Sequence, residues 1–357
     1  MEKLAEGDRE PPVYLGVDTH SETHVCVALE GAGRRLGELV FPNSETGYAE
    51  VLRWALGFGA PVAAVVEGTG SYGAGLSRYL RTKGVSVWEV NRTSRQHRRR
   101  YGKHGAADAE ATARAVIAGT ASGEPKGADG AAESLRALRV ARRSAVKART
   151  QAANQLHALL STAPEKLREG LRGLPTKHLA EKAARFRRDA DPVDPAAATK
   201  FALRSVACRY RALSEEISEL QAHIERVARE VAPELTVLDG VGPDTAAALL
   251  IAAGDNPERL KSEASFAHLC GAAPVPASSG KIVRHRLNPG RNRDADRALH
   301  VVALNRLRRD DRTQTYVARR TAEGKSKKEA MRCLKRNIAR ETYRAILLDT
   351  RVRVPPG

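Results

Sequence analysis

Three acids in the first third of the chain stand at the ends of structural elements, where carboxylates can do chemistry. Asp18 closes the apolar run of residues 13–18 (VYLGVD). Glu67 follows the run 62–66 (VAAVV) and opens Glu67-Gly68-Thr69-Gly70-Ser71-Tyr72-Gly73. Asp108 lies in the first turn of a helix over about 107–118. If the two strands are neighbours and the helix packs beside them, three carboxylates are crowded together. That crowding is unfavourable unless a divalent cation neutralises it, so the trio predicts a Mg²⁺ or Mn²⁺ site. Such a site activates a nucleophile and stabilises a leaving oxygen in phosphodiester chemistry. Taken singly, each acid has a plainer reading: Asp108 as a helix cap or first-turn acid, Glu67 as a loop residue. The combination within one topology carries the prediction.

A second group of polar residues lies in the turn Ala277-Ser278-Ser279-Gly280-Lys281 and the basic loop after it, with Arg284, His285, Arg286 and Arg293. A serine hydroxyl is a poor nucleophile unless activated, and by residue type alone this is an ordinary loop. Arg92, Arg95, Arg98, Arg99, Arg100 and Lys103 crowd the approach to Asp108, and more cations fill 325–340. A charge run is usually a solvated face; beside a metal centre, residues 92–103 make a phosphate clamp. Gly240-Val241-Gly242, ahead of an Ala-rich helix over 244–253, is similar to a helix-hairpin-helix turn. The backbone amides of such a turn hold a DNA phosphate.

The elements that must position these groups follow from periodicity. Residues 13–18, 23–30 and 35–41 read as three strands, with Gly31-Ala32-Gly33 as a turn. A helix over 46–56, a strand at 62–66, a helix at 72–83, a strand at 85–90 and the helix bearing Asp108 follow. The continuous apolar run 62–66 fits a strand buried on both faces. A three-strand meander followed by crossover units predicts a ribonuclease-H-like α/β fold. Residues 119–130 read as a Gly/Ala-rich linker, and 164–195 as basic and irregular. Two long helices flank that region. The first, about 133–160, has Leu138, Ala141, Ala145, Ala148, Ala152 and Leu159 at heptad positions. In the second, Leu203, Val206, Tyr210, Leu213, Ile217, Leu220, Ile224 and Val227 step by three and four, as in a coiled-coil seam. An intramolecular hairpin and a dimerisation element both satisfy that seam. From 235 onward the chain reads as a compact helical domain.

Composition bounds the partners. The 357 residues exceed one typical domain, and 60 Lys and Arg against 42 Asp and Glu leave a net charge of +18. That field attracts phosphate polyanions. Aromatics at 4% argue against a single-strand binder built on stacking platforms. Cys26, Cys208, Cys270 and Cys333 form no CxxC pair, which excludes a zinc ribbon and suits a reducing cytosol. The charged start MEKLAEGDREPP lacks a secretory signal, and no apolar run reaches membrane length. A cytoplasmic protein with no membrane partner is expected.

The stretches GVDTH (16–20), EGTGSYG (67–73) and GKHGAADAEATARAVIAG (102–119) resemble the DEDD domain of the insertion-sequence family called one-ten, whose relatives include Piv-type DNA invertases. LDGVGPDTAAALLIAAGD (238–255), GAAPVPASSGKIVRHRLNPGRNRDADRALH (271–300) and YVARRTAEGKSKKEAMRCLKRNIARE (316–341) resemble its C-terminal transposase domain. The resemblance spans nearly the whole chain, in the family's order. It implies a RuvC-like metal domain over 1–125, a helical coiled-coil connector over 126–232 and a small helical domain over 233–357. It further implies that Ser279, with Ser278 as runner-up, attacks a DNA phosphate to form a phosphoserine link. Gly280 would allow close approach, and Lys281, Arg284, His285 and Arg286 would stabilise the phosphorane charge.

DNA, a structured guide RNA and a homo-oligomer, dimer or tetramer, are the partners so implied. Metals from one domain and the serine from the other would form a composite site, whose halves different subunits could supply. The alternatives are a RuvC-like junction nuclease in which water attacks, and an impaired nucleic-acid-binding relative. One departure favours the latter: the family's further carboxylate, three residues before Asp108, is here Gly105. Spacing of three at a helix start puts both positions on one face. Glu110 would point elsewhere.

Overall fold

Strand alternation builds a sheet that is covered on both sides. The computed structural model describes residues 10–89, 105–119, 123–187, 193–277 and 285–353. β1 (Pro12–Thr19), β2 (Thr23–Glu30) and β3 (Arg35–Pro42) form an antiparallel meander. After α1 (Glu45–Leu56), β4 (Ala60–Val66) adds parallel to β1; after α2 (Ala74–Thr82), β5 (Ser86–Trp88) adds parallel to β4. The sheet order is β3-β2-β1-β4-β5. Val13, Leu15 and Val17 of β1, with Cys26 and Ala28 of β2, pack against Val51, Ala55, Leu76 and Leu80 of α1 and α2. The alternate residues Val27 and Leu29 meet Ala109 and Ala113 of α3 (Gly105–Ile117) on the other face. Each such buried Val or Leu contributes about 1.5–3 kcal/mol. α1 starts where Ser44 accepts the Gly47 amide at 3.3 Å.

The chain packs as two units. The first comprises Met1–Gly130 together with Ala253–Ser265, and the second Ala131–Ala252 with Phe266–Gly357. In the first, the stretch expected to be a linker is strapped down. Asn256, buried, accepts the Gly127 amide at 2.8 Å and donates to the Pro125 carbonyl at 3.0 Å and to Glu124 at 3.3 Å. The Arg81 guanidinium donates to the Gly127 carbonyl at 3.2 Å, and the Glu89 backbone amide to the Gly123 carbonyl at 2.9 Å.

The second unit is helical: α4 (Ala131–Ser161), α5 (Glu165–Glu169), α6 (Thr176–Ala184), α7 (Pro195–Val231), α8 (Pro233–Thr236) and α9 (Pro243–Ala253) come first. α10 (Glu263–Leu269), a hairpin of β6 (Val275–Pro276) and β7 (His285–Arg286), α11 (Arg293–Arg309), α12 (Asp311–Ala322) and α13 (Lys327–Arg353) follow. α5 and α6 correct the expectation of an irregular 164–195: Leu179, Ala180 and Ala183 of α6 are buried against Leu203 and Ala207 of α7 and Leu156 of α4. Small apolar residues on a narrow stripe escape notice among lysines and arginines. α4 runs along α7, so this chain itself fills part of the heptad seam.

Buried charged groups tie this unit together. Asp349 accepts the Glu234 and Leu235 amides at 2.9 and 3.1 Å, capping α8 from α13. Asp296 of α11 takes Lys335 of α13 and, at 2.8 Å, Arg291. Burial pushes the nearby Cys270 thiol up to about 12. No helix among the described residues is long and apolar enough to cross a membrane.

Candidate active site

Parallel pairing aligns Val17 with Val66, so Asp18 and Glu67 leave the same end of adjacent strands. The Glu67 amide donates to the Val17 carbonyl at 3.0 Å, and the Thr19 hydroxyl to the Glu67 carbonyl at 2.8 Å. Burial raises the Asp18 carboxyl above its usual range. Glu67, within hydrogen-bonding reach, and Asp108 raise it further, while His20 acts in the opposite sense. His20 stands 4.0 Å from Asp18. Its backbone amide donates to Nδ1 of His24 at 3.3 Å, which holds the turn after β1. The motif GVDTH contains His20, yet spacing alone gave it no role.

Asp108 reaches this end of the sheet because residue 16 has no side chain. A Cβ on Gly16 would stand 1.9 Å from the Ala109 carbonyl oxygen, so α3 rests directly on β1. Gly105 begins α3, and a Cβ there would lie 3.0 Å from Asp18 Oδ2. The absent carboxylate would therefore have faced the acids. Glu110 is turned away, pairing with Arg114 at 2.6 Å and Arg35 at 3.7 Å. Among the described residues no three His, Cys, Asp or Glu side chains stand close enough together to hold a metal ion as placed. The trio fits a hard divalent cation in charge and donor type, but its ligand set is not closed.

Residues 15–164 match a family model for the DEDD transposase of IS110 elements, described as "Transposase". Residues 232–318 match a second, described as "Transposase IS116/IS110/IS902 family". The two matches lie in order and together cover about two thirds of the chain. The chain belongs to the IS110 family of transposases. A 43.6 kDa uncharacterized protein of insertion element IS110 from Streptomyces coelicolor is 34% identical over 130 residues, 36% of this chain and 32% of that protein. A 42 kDa uncharacterized protein of insertion element IS900 from Mycobacterium paratuberculosis is 34% identical over 128 residues, 35% of this chain and 32% of that one. The chain thus spans about a third of the length of these curated relatives.

Of the residues expected to act in this IS110-family chain, Ser278, Ser279, Lys281 and Arg284 lie outside the described residues. So do Arg92, Arg95, Arg98, Arg99, Arg100 and Lys103. The serine stretch joins β6 to β7, which pair antiparallel with Val275 opposite Arg286. Arg286 is exposed on β7, and Arg293 is exposed at the first position of α11. Gly240 adopts φ +75, and Gly242 has open space beside it. Arg306 of α11, buried, fixes this turn: it donates to the Asp239 carbonyl at 2.8 Å and to Glu341 at 2.6 Å. Asp244, in the first turn of α9, pairs with Arg139 at 3.5 Å and Arg142 at 3.7 Å. An anion thus already stands at that helix terminus.

Proposed function

We propose that this chain is a DNA transposase that cuts and rejoins strands through a covalent phosphoserine intermediate. The observation that carries this reading is the exit of Asp18 and Glu67 from the same end of adjacent parallel strands, with α3, which bears Asp108, resting on β1 in an IS110-family chain. The β3-β2-β1-β4-β5 order, a meander extended by two parallel strands, supports a RuvC-like assignment for residues 1–125. Asp18, Glu67 and Asp108 would hold Mg²⁺ or Mn²⁺, which supplies Lewis-acid polarisation of the phosphodiester. Ser279 Oγ gives up its proton and attacks the phosphorus, the scissile P–O bond breaks, the sugar oxygen leaves as a protonated hydroxyl, and the new phosphoserine ester keeps the bond energy for rejoining to that or another hydroxyl. Arg286 lends positive charge to the pentacovalent state.

Trapping of a covalent protein–DNA adduct tests this. Asp18→Ala is expected to abolish cleavage while leaving the fold intact, and Ser279→Ala to lose the adduct while retaining DNA binding. Full cleavage by either variant overturns the assignment. Metal-dependent cleavage without any adduct would point to a junction nuclease. Gly105 favours a second reading, a relative that binds nucleic acid with impaired catalysis. Guidance by a structured RNA rests on the family resemblance, and assembly through the α7 seam on the heptad positions from Leu203 to Val227. The first is tested by sequencing RNA retained through a high-salt wash, since non-specific contacts weaken steeply with salt. The second is tested by the mass of the nucleic-acid-bound protein in solution. A cytoplasmic location fits the cysteine usage.

A further inference from the structure

The second unit contains a cavity of about 680 Å³ between β7, α12 and α13. That size lies within the roughly 300–1,000 Å³ of small-ligand sites. Its lining divides by chemistry. Ala272, Pro274 and Leu287 make an apolar surface, and Leu287, a large hydrophobe, is 40% exposed there. Tyr316 stands beside them, with the Arg319 guanidinium 5.6 Å from its ring centroid. Five cations complete the lining: Arg286, Arg320, Lys325, Arg332 and Arg336. The one carboxylate, Glu329, is engaged by the Ser326 amide and hydroxyl at 2.9 and 2.8 Å in a capping box. Arg320 is paired with Glu323 at 2.7 Å; β7, α12 and α13 bring it and four further cations to one concave surface, which a polyanion complements.

An apolar and aromatic floor with guanidinium groups around it complements a nucleotide, base inward and phosphate outward. A stacked duplex presents a convex phosphate backbone, which meets the cations and leaves the apolar floor empty. Filling that floor takes a base lifted out of the stack. We propose that this cavity receives one unstacked nucleotide of the DNA strand being exchanged. DNA is favoured over RNA because Arg286 follows Ser279 by seven residues in the sequence. The choice therefore rests on the function proposed above.

The test uses the full-length protein and single-stranded DNA carrying one 2-aminopurine, moved stepwise along the strand. Emission is expected to change at least about twofold at one position and not at its neighbours, as a single base leaves the stack. Tyr316→Ala should lose that change while overall affinity falls less than about threefold, and Tyr316→Phe should keep it. Arg286→Ala with Arg332→Ala should weaken binding about tenfold. An unaltered signal in Tyr316→Ala, or no position-specific change in the wild type, overturns the proposal. A response with 2-aminopurine RNA but not DNA overturns the choice of occupant. Failure of the wild type to bind either probe overturns the transposase reading itself, a distinct result.

Discussion

The two units place their groups by opposite means. In the first, backbone approaches backbone: Gly16 lets α3 lie on β1, and Asp108 arrives beside Asp18 because no Cβ intervenes. In the second, long charged side chains reach across gaps between helices: Arg306 to the Asp239 carbonyl, Lys335 to Asp296, Asp349 to the α8 amides. Close backbone packing leaves little freedom in how α3 sits on β1. Side-chain clamps in the second unit add to a helical core that buries Leu135, Leu156, Leu203, Ile224 and Phe266. The difference is one of failure mode. Adding a methyl group should break the first unit, and removing a charge should break the second.

Gly16→Ala is the strongest test. A Cβ 1.9 Å from the Ala109 oxygen forces α3 off the sheet, with an expected loss of about 3 kcal/mol, the upper end for overpacking. Urea denaturation reads that loss, and calorimetric titration with Mg²⁺ should show weakened binding in whatever remains folded. Wild-type stability in this variant would break the comparison on its first side.

Asp296→Ala comes next. It strands Lys335, whose side chain is only 11% exposed, and should cost about 2–3 kcal/mol, between exposed and buried ion pairs. Joining Asp296→Leu to Lys335→Met should recover part of the loss, since Lys335 no longer stays behind as a buried charge while Arg291 still lacks its partner. The same pair sets an acid dependence. Burial opposes ionisation, but hydrogen bonds from Lys335 and Arg291 hold the Asp296 carboxyl below its usual range. The native state then binds fewer protons than the unfolded chain. The stabilisation is full above the ordinary carboxylate value of about 4 and is lost as pH falls through the lower native one. Thermal melts taken from about pH 5 downward should show an acid loss that Asp296→Asn lacks.

Gly240→Ala sharpens the contrast by applying the first unit's weakness to the second. With φ +75 and a Cβ 3.1 Å from the Val302 carbonyl, it should cost about 1–2 kcal/mol. Gly105→Asp is the mildest change. Facing Asp18, the added carboxylate should lower stability by less than about 1 kcal/mol without cation, yet show a larger Mg²⁺-induced rise in Tm than the wild type. Identical Mg²⁺ responses in the two proteins would mean that residue 105 does not face a cation.

The sheet was legible because burial on both faces leaves unambiguous apolar runs. The strand read at 23–30 is β2, and the acids following 13–17 and 62–66 emerge side by side, as parallel neighbours must. The facing of residue 105 followed from helical spacing. Other features had no local signal. Gly16 reads as one more small residue in YLGVD; its meaning lies in Ala109, distant in sequence. α6 hides its buried stripe among cations. The cavity around Tyr316 gathers three elements, and no helical or strand period pairs their facing side chains. The attachment of Ala253–Ser265 to the first unit depends on Asn256, an unremarkable amide in a polar turn.

That attachment has a consequence for how the gene can be cut. A Cβ on Gly130 would lie 2.5 Å from Asp255 Oδ1, so the chain leaves the first unit and rejoins it at nearly one point. The excursion from 131 to 252 therefore starts and ends at one clasp of the first unit. Its helices pack with residues 266–357, through Arg306 to the Asp239 carbonyl and Asp349 to the α8 amides, so an exchange of the helical unit has to carry both stretches together. The clasp then serves as one of the joints at which a different helical unit can be grafted without rewriting the sheet.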